Sequence, residues 1–257
     1  MKPAAIGNGD DARDVGDDPS TPRLAILAYH KVGDPPGGWD TWFYVSPETF
    51  VEHMEYLRRA GWRVIDLATF LAGLANPELL PDRAVLLTFD DAYRSLREVV
   101  LPSLLRFELP AVVFVPTDFI GGSNSFDWGN EPEEPICDWV DLRELADRGV
   151  SVQSHGASHR PLSALGPEEQ AVEILRSKKV LEDGLGGTVS MFAYPYGDPA
   201  DAAPAVIDAL RTAGYRAGCL YGGGLTGCPP ADPYVLPRIP IGADTDLRDV
   251  LPERSRG

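Results

Sequence analysis

The feature that most constrains this fold is a series of short, unbroken apolar runs set between amphipathic stretches. The runs are LAILAY (24–29), WRVI (62–65), AVLLTF (84–89), AVVFV (111–115), VSVQ (150–153), VSMFAY (189–194) and YRAGCL (215–220). A strand with one face in water alternates apolar and polar residues, whereas a continuously apolar run needs cover on both faces, as in a parallel sheet wrapped by helices. The intervening stretches supply such helices. Ser46-Pro47 reads as an N-cap and first helical residue, Phe50, Met54 and Leu57 follow at helical spacing, and Gly61 is a stop. Tyr93, Leu96, Val100 and Leu104 repeat the pattern after the third run, and Pro167 opens a helix whose apolar side is expected at Val172, Leu175 and Val180. About seven βα units in a chain of this length predict an α/β fold, a (β/α) barrel rather than an open sheet.

The barrel is expected to occupy residues 22–257 as one domain, because no Ser/Gly-rich linker interrupts them. Residues 1–21 hold five Asp and three Gly and almost no large apolar side chain, so they are predicted to be a disordered acidic tail. A formal net charge of −16 opposes binding to nucleic acid or to an anionic membrane. No run approaches the roughly 18 apolar residues of a membrane span, and the first twenty residues lack the apolar stretch of a secretory signal. As written, the chain is expected in the cytoplasm, or outside it if a leader was removed. Cys137, Cys219 and Cys228 lack CxxC spacing and read as free thiols of a reduced compartment, although Cys219 and Cys228 could close a short loop. The segment 117–137 has no clear period, which marks it as functional or disordered.

In a parallel barrel, reactive side chains gather just past the strands, where the following loops open on one face. Such positions in this chain are polar: His30 follows the first run, Asp90 and Asp91 the third, His155 and His159 the fifth, and Tyr196 the sixth. Three of the four histidines stand at these ends. Two adjacent carboxylates beside a buried strand repel each other and lose solvation, a conflict that a cation resolves. Alternatively, one of them caps the following helix. His155 and His159, four residues apart, can share one ion from a turn, or be two unconnected histidines. Joined to an acidic strand end they offer two nitrogens and one oxygen, a donor set that leaves coordination positions open for catalysis.

LLTFDDAY (86–93), SHGASH (154–159) and FAYPYG (192–197), in this order and spacing, resemble the first three signature motifs of the polysaccharide deacetylase (NodB-homology) family. AYHKVGDPP (28–36), SPETFVEHMEYLRRAGWRVI (46–65) and LPRIPI (236–241) further resemble its poly-N-acetylglucosamine deacetylase branch, and the likeness runs over residues 23–250. The resemblance implies a distorted (β/α) barrel that removes N-acetyl groups from an N-acetylated carbohydrate with a divalent metal, Zn²⁺ first, then Co²⁺ or Ni²⁺. It implies Asp90 as general base, Asp91, His155 and His159 as metal ligands, and Tyr196 at the edge of the site with its backbone N–H on the oxyanion.

The chain departs from that pattern in three places. Ala92 stands where many members have Gly, and Ala193 where the third motif commonly starts with an Arg that orients the base. Arg238 in LPRIPI is expected to replace that Arg, since a cation near Asp90 keeps it ionised. No histidine follows His159, so His30 is expected to take the place of the late general acid, provided the first and last strands are neighbours. Trp39, Trp42, Phe43, Tyr44 and Trp128 are expected on the catalytic face as platforms for sugar rings. Two other functions are open: a metal-dependent hydrolase of another small amide, and a catalytically silent glycan-binding homologue.

Overall fold

The computed structural model describes residues 23–251 and 253, so the predicted tail at 1–21 lies outside the described residues. The strands are β1 Arg23–Tyr29, β2 Lys31–Val32, β3 Tyr44–Val45, β4 Arg63–Val64, β5 Arg83–Phe89, β6 Ala111–Val115, β7 Val150–Ser154, β8 Met191–Ala193, β9 Ala217–Gly223 and β10 Leu236–Pro240. The helices are α1 Pro47–Arg59, α2 Leu67–Ala75, α3 Leu101–Phe107, α4 Trp139–Asp147, α5 Pro167–Leu185, α6 Pro204–Thr212 and α7 Leu247–Val250. Parallel pairing runs β1-β10-β9-β8-β7-β6-β5 and returns from β5 to β1, which closes a barrel of seven strands. The predicted strand at 62–65 shrinks to β4, which pairs with the start of β5 outside the ring. The first and last strands are neighbours, with Leu27 opposite Ile239.

Burial divides each strand by parity, as a period of two requires. Leu24, Ile26, Ala84, Leu86, Val112, Phe114, Met191, Ala193, Ala217, Cys219 and Leu236 pack in one cluster, with Phe70, Leu71 and Leu74 of α2. The alternate residues, among them Leu27, Leu87, Val113, Val152 and Phe192, pack in a second cluster with Phe50, Met54, Leu57, Leu142 and Ile174 from the helices. The first set fills the barrel and the second joins it to its helical jacket. Continuing the first set to the strand ends reaches His30, Asp90, Tyr221 and Arg238, and in β7 the same side reaches His155.

Helix α1 starts where its sequence predicts: Ser46 accepts from the Thr49 N–H at 3.0 Å, and Phe50, Met54 and Leu57 are buried. Other expectations need correction. Neither Asp90 nor Asp91 caps a helix, since the next helical segment opens at Leu96 as a π-turn and passes into α3. In α5 the residues turned inward are Ile174, Ser177 and Leu181, while Val172 and Leu175 are exposed. Strand β10 adds to the predicted set and carries no unbroken apolar run, since Pro237 and Pro240 speak against a strand there. A register shift between Leu236 and Arg238 against β9 accommodates it. Cys219 and Cys228 are free thiols and do not pair. No helix among the described residues is long and apolar enough to cross a membrane.

Candidate metal and catalytic site

The C-terminal ends of the strands surround a cavity of about 430 Å³ lined by His30, Asp90, Asp91, His155, His159 and Tyr196, among others. The sequence-predicted residues reach it by two routes. His30, Asp90 and His155 arrive by strand parity, with Arg238 bonded behind Asp90. Asp91, His159 and Tyr196 arrive by tight turns, and with Ala92, which follows Asp91, they take φ values of 68°, 55°, 61° and 56°. Left-handed backbone costs a non-glycine residue about 1–2 kcal/mol, so its concentration here marks a site held by its surroundings.

One ligand atom each from Asp91, His155 and His159 lies within 4.8 Å of the others, and all three residues are buried. Nε2 of His155 and Nε2 of His159 stand 3.5 and 3.1 Å from Oδ1 of Asp91. That oxygen is fully buried and has no hydrogen-bond partner among the described residues. His155 Nδ1 donates to the Ala193 carbonyl at 2.8 Å, which fixes the tautomer and leaves the Nε2 lone pair facing Asp91. Burial pushes the His155 pKa down to about 4, so the ring is neutral near pH 7, as a ligand must be. Burial alone would raise Asp91, yet the facing histidines hold it well below the usual carboxylate range. A buried carboxylate oxygen with no hydrogen-bond partner, beside the Nε2 atoms of two imidazoles, is what a divalent cation fits.

Asp90 faces the same cavity from the opposite side of its backbone. Arg238, fully buried, donates through Nη1 to Oδ1 and through Nη2 to Oδ2, both at 2.7 Å. Its Nε donates to the Leu220 carbonyl at 2.6 Å, and its Nη1 reaches the Thr88 hydroxyl at 3.2 Å. Burial works to raise the Asp90 pKa, but the Arg238 guanidinium prevails and keeps it below the ordinary value. His30 Nε2 lies 3.9 Å from Asp90 Oδ2, its ring meets Phe43 and Tyr221, and its buried Nδ1 has no partner among the described residues. Burial lowers the His30 pKa against the pull of Asp90 and Asp91. Tyr196 is half-exposed, with its ring edge against His159 at 4.8 Å between centroids.

Several residues that shape the site escaped the sequence reading. Glu173 of α5 is buried and accepts from the N–H groups of Ala157 and Ser158 and from the Ser158 hydroxyl, all at 2.8 Å, and so holds the turn between the two histidines. This polar role explains the misread face of α5, because Glu173 and Ser177 occupy inward positions that a hydrophobic pattern assigns outward. Phe126 covers His159 at 4.0 Å between centroids. The segment 117–137 is pinned: Lys31 and the Thr41 hydroxyl both bond Glu131, at 2.9 and 2.7 Å, and the Tyr44 hydroxyl bonds Glu134 at 2.6 Å. Asp127 from that segment lines the cavity, and burial together with the Asp91 charge raises its pKa to about 6.

Of the aromatic residues expected to meet sugar, Phe43 lines this cavity. Tyr44 is buried and Trp42 is tied to Asp244 through its indole N–H. Trp39 and Trp128 border a neighbouring cleft.

Residues 79–218 match the family described as polysaccharide deacetylase. The Bacillus subtilis protein YxkH is 26% identical over 175 residues, which cover 68% of this chain and 57% of that one. The chain thus spans little more than half the length of that relative. A poly-beta-1,6-N-acetyl-D-glucosamine N-deacetylase of Staphylococcus aureus is 26% identical over 216 residues, covering 79% of this chain and 69% of that one. The solved structure of the Streptococcus pyogenes deacetylase PplD with acetate superposes with a TM-score of 0.78 at 21% identity, over 92% of this chain and all of that one. This last likeness concerns the fold.

Proposed function

The chain belongs to the polysaccharide deacetylase family, and on that premise we propose that it is a metal-dependent hydrolase that removes N-acetyl groups from poly- or oligosaccharide containing N-acetylglucosamine. The observation that carries this reading is the convergence of Asp91, His155 and His159 beside an Asp90 that is separately held by Arg238. Asp91, His155 and His159 would hold the cation, and two imidazoles with one carboxylate suit Zn²⁺. When bound, such an ion supplies Lewis acidity to an acetamide oxygen and to a water molecule.

The chain's own residues account for the proton transfers. Asp90, ionised and oriented by two parallel bonds from Arg238, takes a proton from the attacking water. Having both oxygens on Arg238 keeps Asp90 out of the ligand set, which separates the base from the ligand although they are adjacent in sequence. The Tyr196 N–H, which has no partner among the described residues, donates to the developing oxyanion. His30, at the end of β1 and next to Asp90, passes the proton that Asp90 takes from the water on to the departing amine, so that both groups return to their starting states. Phe43 packs against a sugar face at the cavity wall.

The test is acetate release from N-acetylglucosamine oligomers, with metal content measured on the same sample. Activity should be lost on chelation and return with Zn²⁺, Co²⁺ or Ni²⁺, while Asp91→Ala and His155→Ala should retain no metal. Stoichiometric Zn²⁺ in Asp91→Ala would exclude the ligand assignment. Faster hydrolysis of small non-sugar amides than of the oligomers would exclude the carbohydrate.

A further inference from the structure

Beside the catalytic cavity lies a second cleft of about 260 Å³, bordered by Trp39, Trp128, Asn124, Ser125, Glu131 and Glu133. Its two tryptophans come from separate loops and are exposed by 39% and 77%, which is costly for indoles that serve only packing. Neither loop is slack. Asn124 bonds the Pro132 carbonyl and the Glu134 N–H at 3.0 and 2.7 Å, and the Thr41 hydroxyl bonds Glu131 at 2.7 Å, which ties the two loops together. Glu131 lines both the cleft and the catalytic cavity, so the two adjoin there.

The charge of this region is one-sided. Glu131 is neutralised by Lys31, but Glu133 bonds only the Ser123 hydroxyl, at 2.8 Å, and has no cationic partner among the described residues. Asp127, on the cavity side of the same segment, also lacks an ion-pair partner among them. Flat indoles match the apolar face of a pyranose, and the uncompensated carboxylate of Glu133 in the same cleft matches an ammonium. An N-acetylated ring carries no charge, whereas hydrolysis of its amide leaves a primary amine that is protonated near neutral pH.

We infer that the Trp39–Trp128 cleft is a second-sugar subsite that binds an already deacetylated, ammonium-bearing hexosamine ring adjoining the acetylated ring in the catalytic cavity. The inference rests on the deacetylase reading. A product ring seated between the tryptophans brings its acetylated neighbour to Asp90, so that deacetylation of one unit favours the next along the chain.

The test uses binding, which is independent of turnover. A glucosamine trimer and an N-acetylglucosamine trimer are titrated calorimetrically into the full-length, metal-loaded protein. The glucosamine trimer should bind more tightly, with an affinity that falls as salt rises. Trp128→Ala and Trp39→Ala should each weaken it about tenfold, as expected for loss of one aromatic face. Glu133→Gln should abolish the preference for the charged trimer. Leu175→Ala, which removes an exposed apolar side chain of α5 away from both clefts, should bind like the wild type. No binding of the glucosamine trimer, unchanged affinity in both tryptophan variants, or equal affinity for the two trimers would overturn the inference. Normal trimer binding with no acetate release from any substrate would overturn the deacetylase reading and leave the subsite standing.

Discussion

Replacing Arg238 with Met removes the charge, leaving the Asp90 carboxylate buried without its guanidinium partner. In the native protein the pair is nearly inaccessible, with side chains exposed by 0% and 2%, and both carboxylate oxygens are bonded at 2.7 Å. Breaking a buried pair by removing one partner costs about 3–5 kcal/mol, because the remaining charge loses its compensation and does not regain water. For a domain of this size that corresponds to a fall in Tm of roughly 6–20 °C. Urea unfolding of the metal-free protein reads the loss directly. Asp90→Asn with Arg238→Met should recover most of it, since no buried charge is then left unpaired, and the cycle should give a coupling of about 3 kcal/mol. Arg238→Lys should not restore activity, because an ammonium cannot make two parallel bonds to one carboxylate. A loss below about 1 kcal/mol in Arg238→Met, or a double variant no more stable than the single one, would refute the assignment of Asp90 stability to this pair.

Further expectations concern the other buried groups. His30→Ala should slow amide cleavage far more than cleavage of an activated acetate ester, whose leaving group needs no proton; equal slowing would give His30 another role. His53 donates to the Thr245 carbonyl, accepts from the Tyr29 hydroxyl, and has its pKa lowered from 6.5 by burial. The unfolded chain therefore takes up this proton first, so the stabilisation is present above about pH 6.5 and is lost as pH falls towards the folded value, with a slope of at most about 1.4 kcal/mol per pH unit. Denaturation midpoints between pH 7.5 and 5.5 should fall less in His53→Gln, and parallel curves would exclude this histidine. In Gly197→Ala, at φ +66°, the new Cβ would stand 2.2 Å from the Tyr221 backbone nitrogen. A loss of about 1–3 kcal/mol is expected, with lower turnover because Tyr221 packs on His30; wild-type Tm and turnover together would contradict it.

The architecture was legible because unbroken apolar runs have few solutions in water: six of the seven are strands of the barrel, while the run at 62–65 pairs outside it and β10 supplies the seventh strand. The candidate site was legible for a related reason. At the end of a buried strand a polar residue loses solvation without benefit unless it serves the open face, which singled out His30, Asp90, Asp91, His155 and His159. Where the pattern failed, tertiary partners had overruled it. Arg238 lies in a strand that two prolines disguise, and its place beside Asp90 depends on the closure of β10 between β9 and β1. Glu173 reads as a solvent-facing helical residue until the turn of residues 155–159 folds down on it.

By itself, then, the order of residues determined the barrel, its open end and the identity of the groups gathered there, because burial and strand parity are local and periodic. Strand parity and burial left open which of two adjacent aspartates faces the histidines and which the arginine; the family resemblance implied an answer, and the physical reason for it lies in the tertiary structure. A left-handed turn at Asp91 and Ala92 sends the two carboxylates in different directions, and that turn persists only because the surrounding strands and the loop at Cys137 hold it.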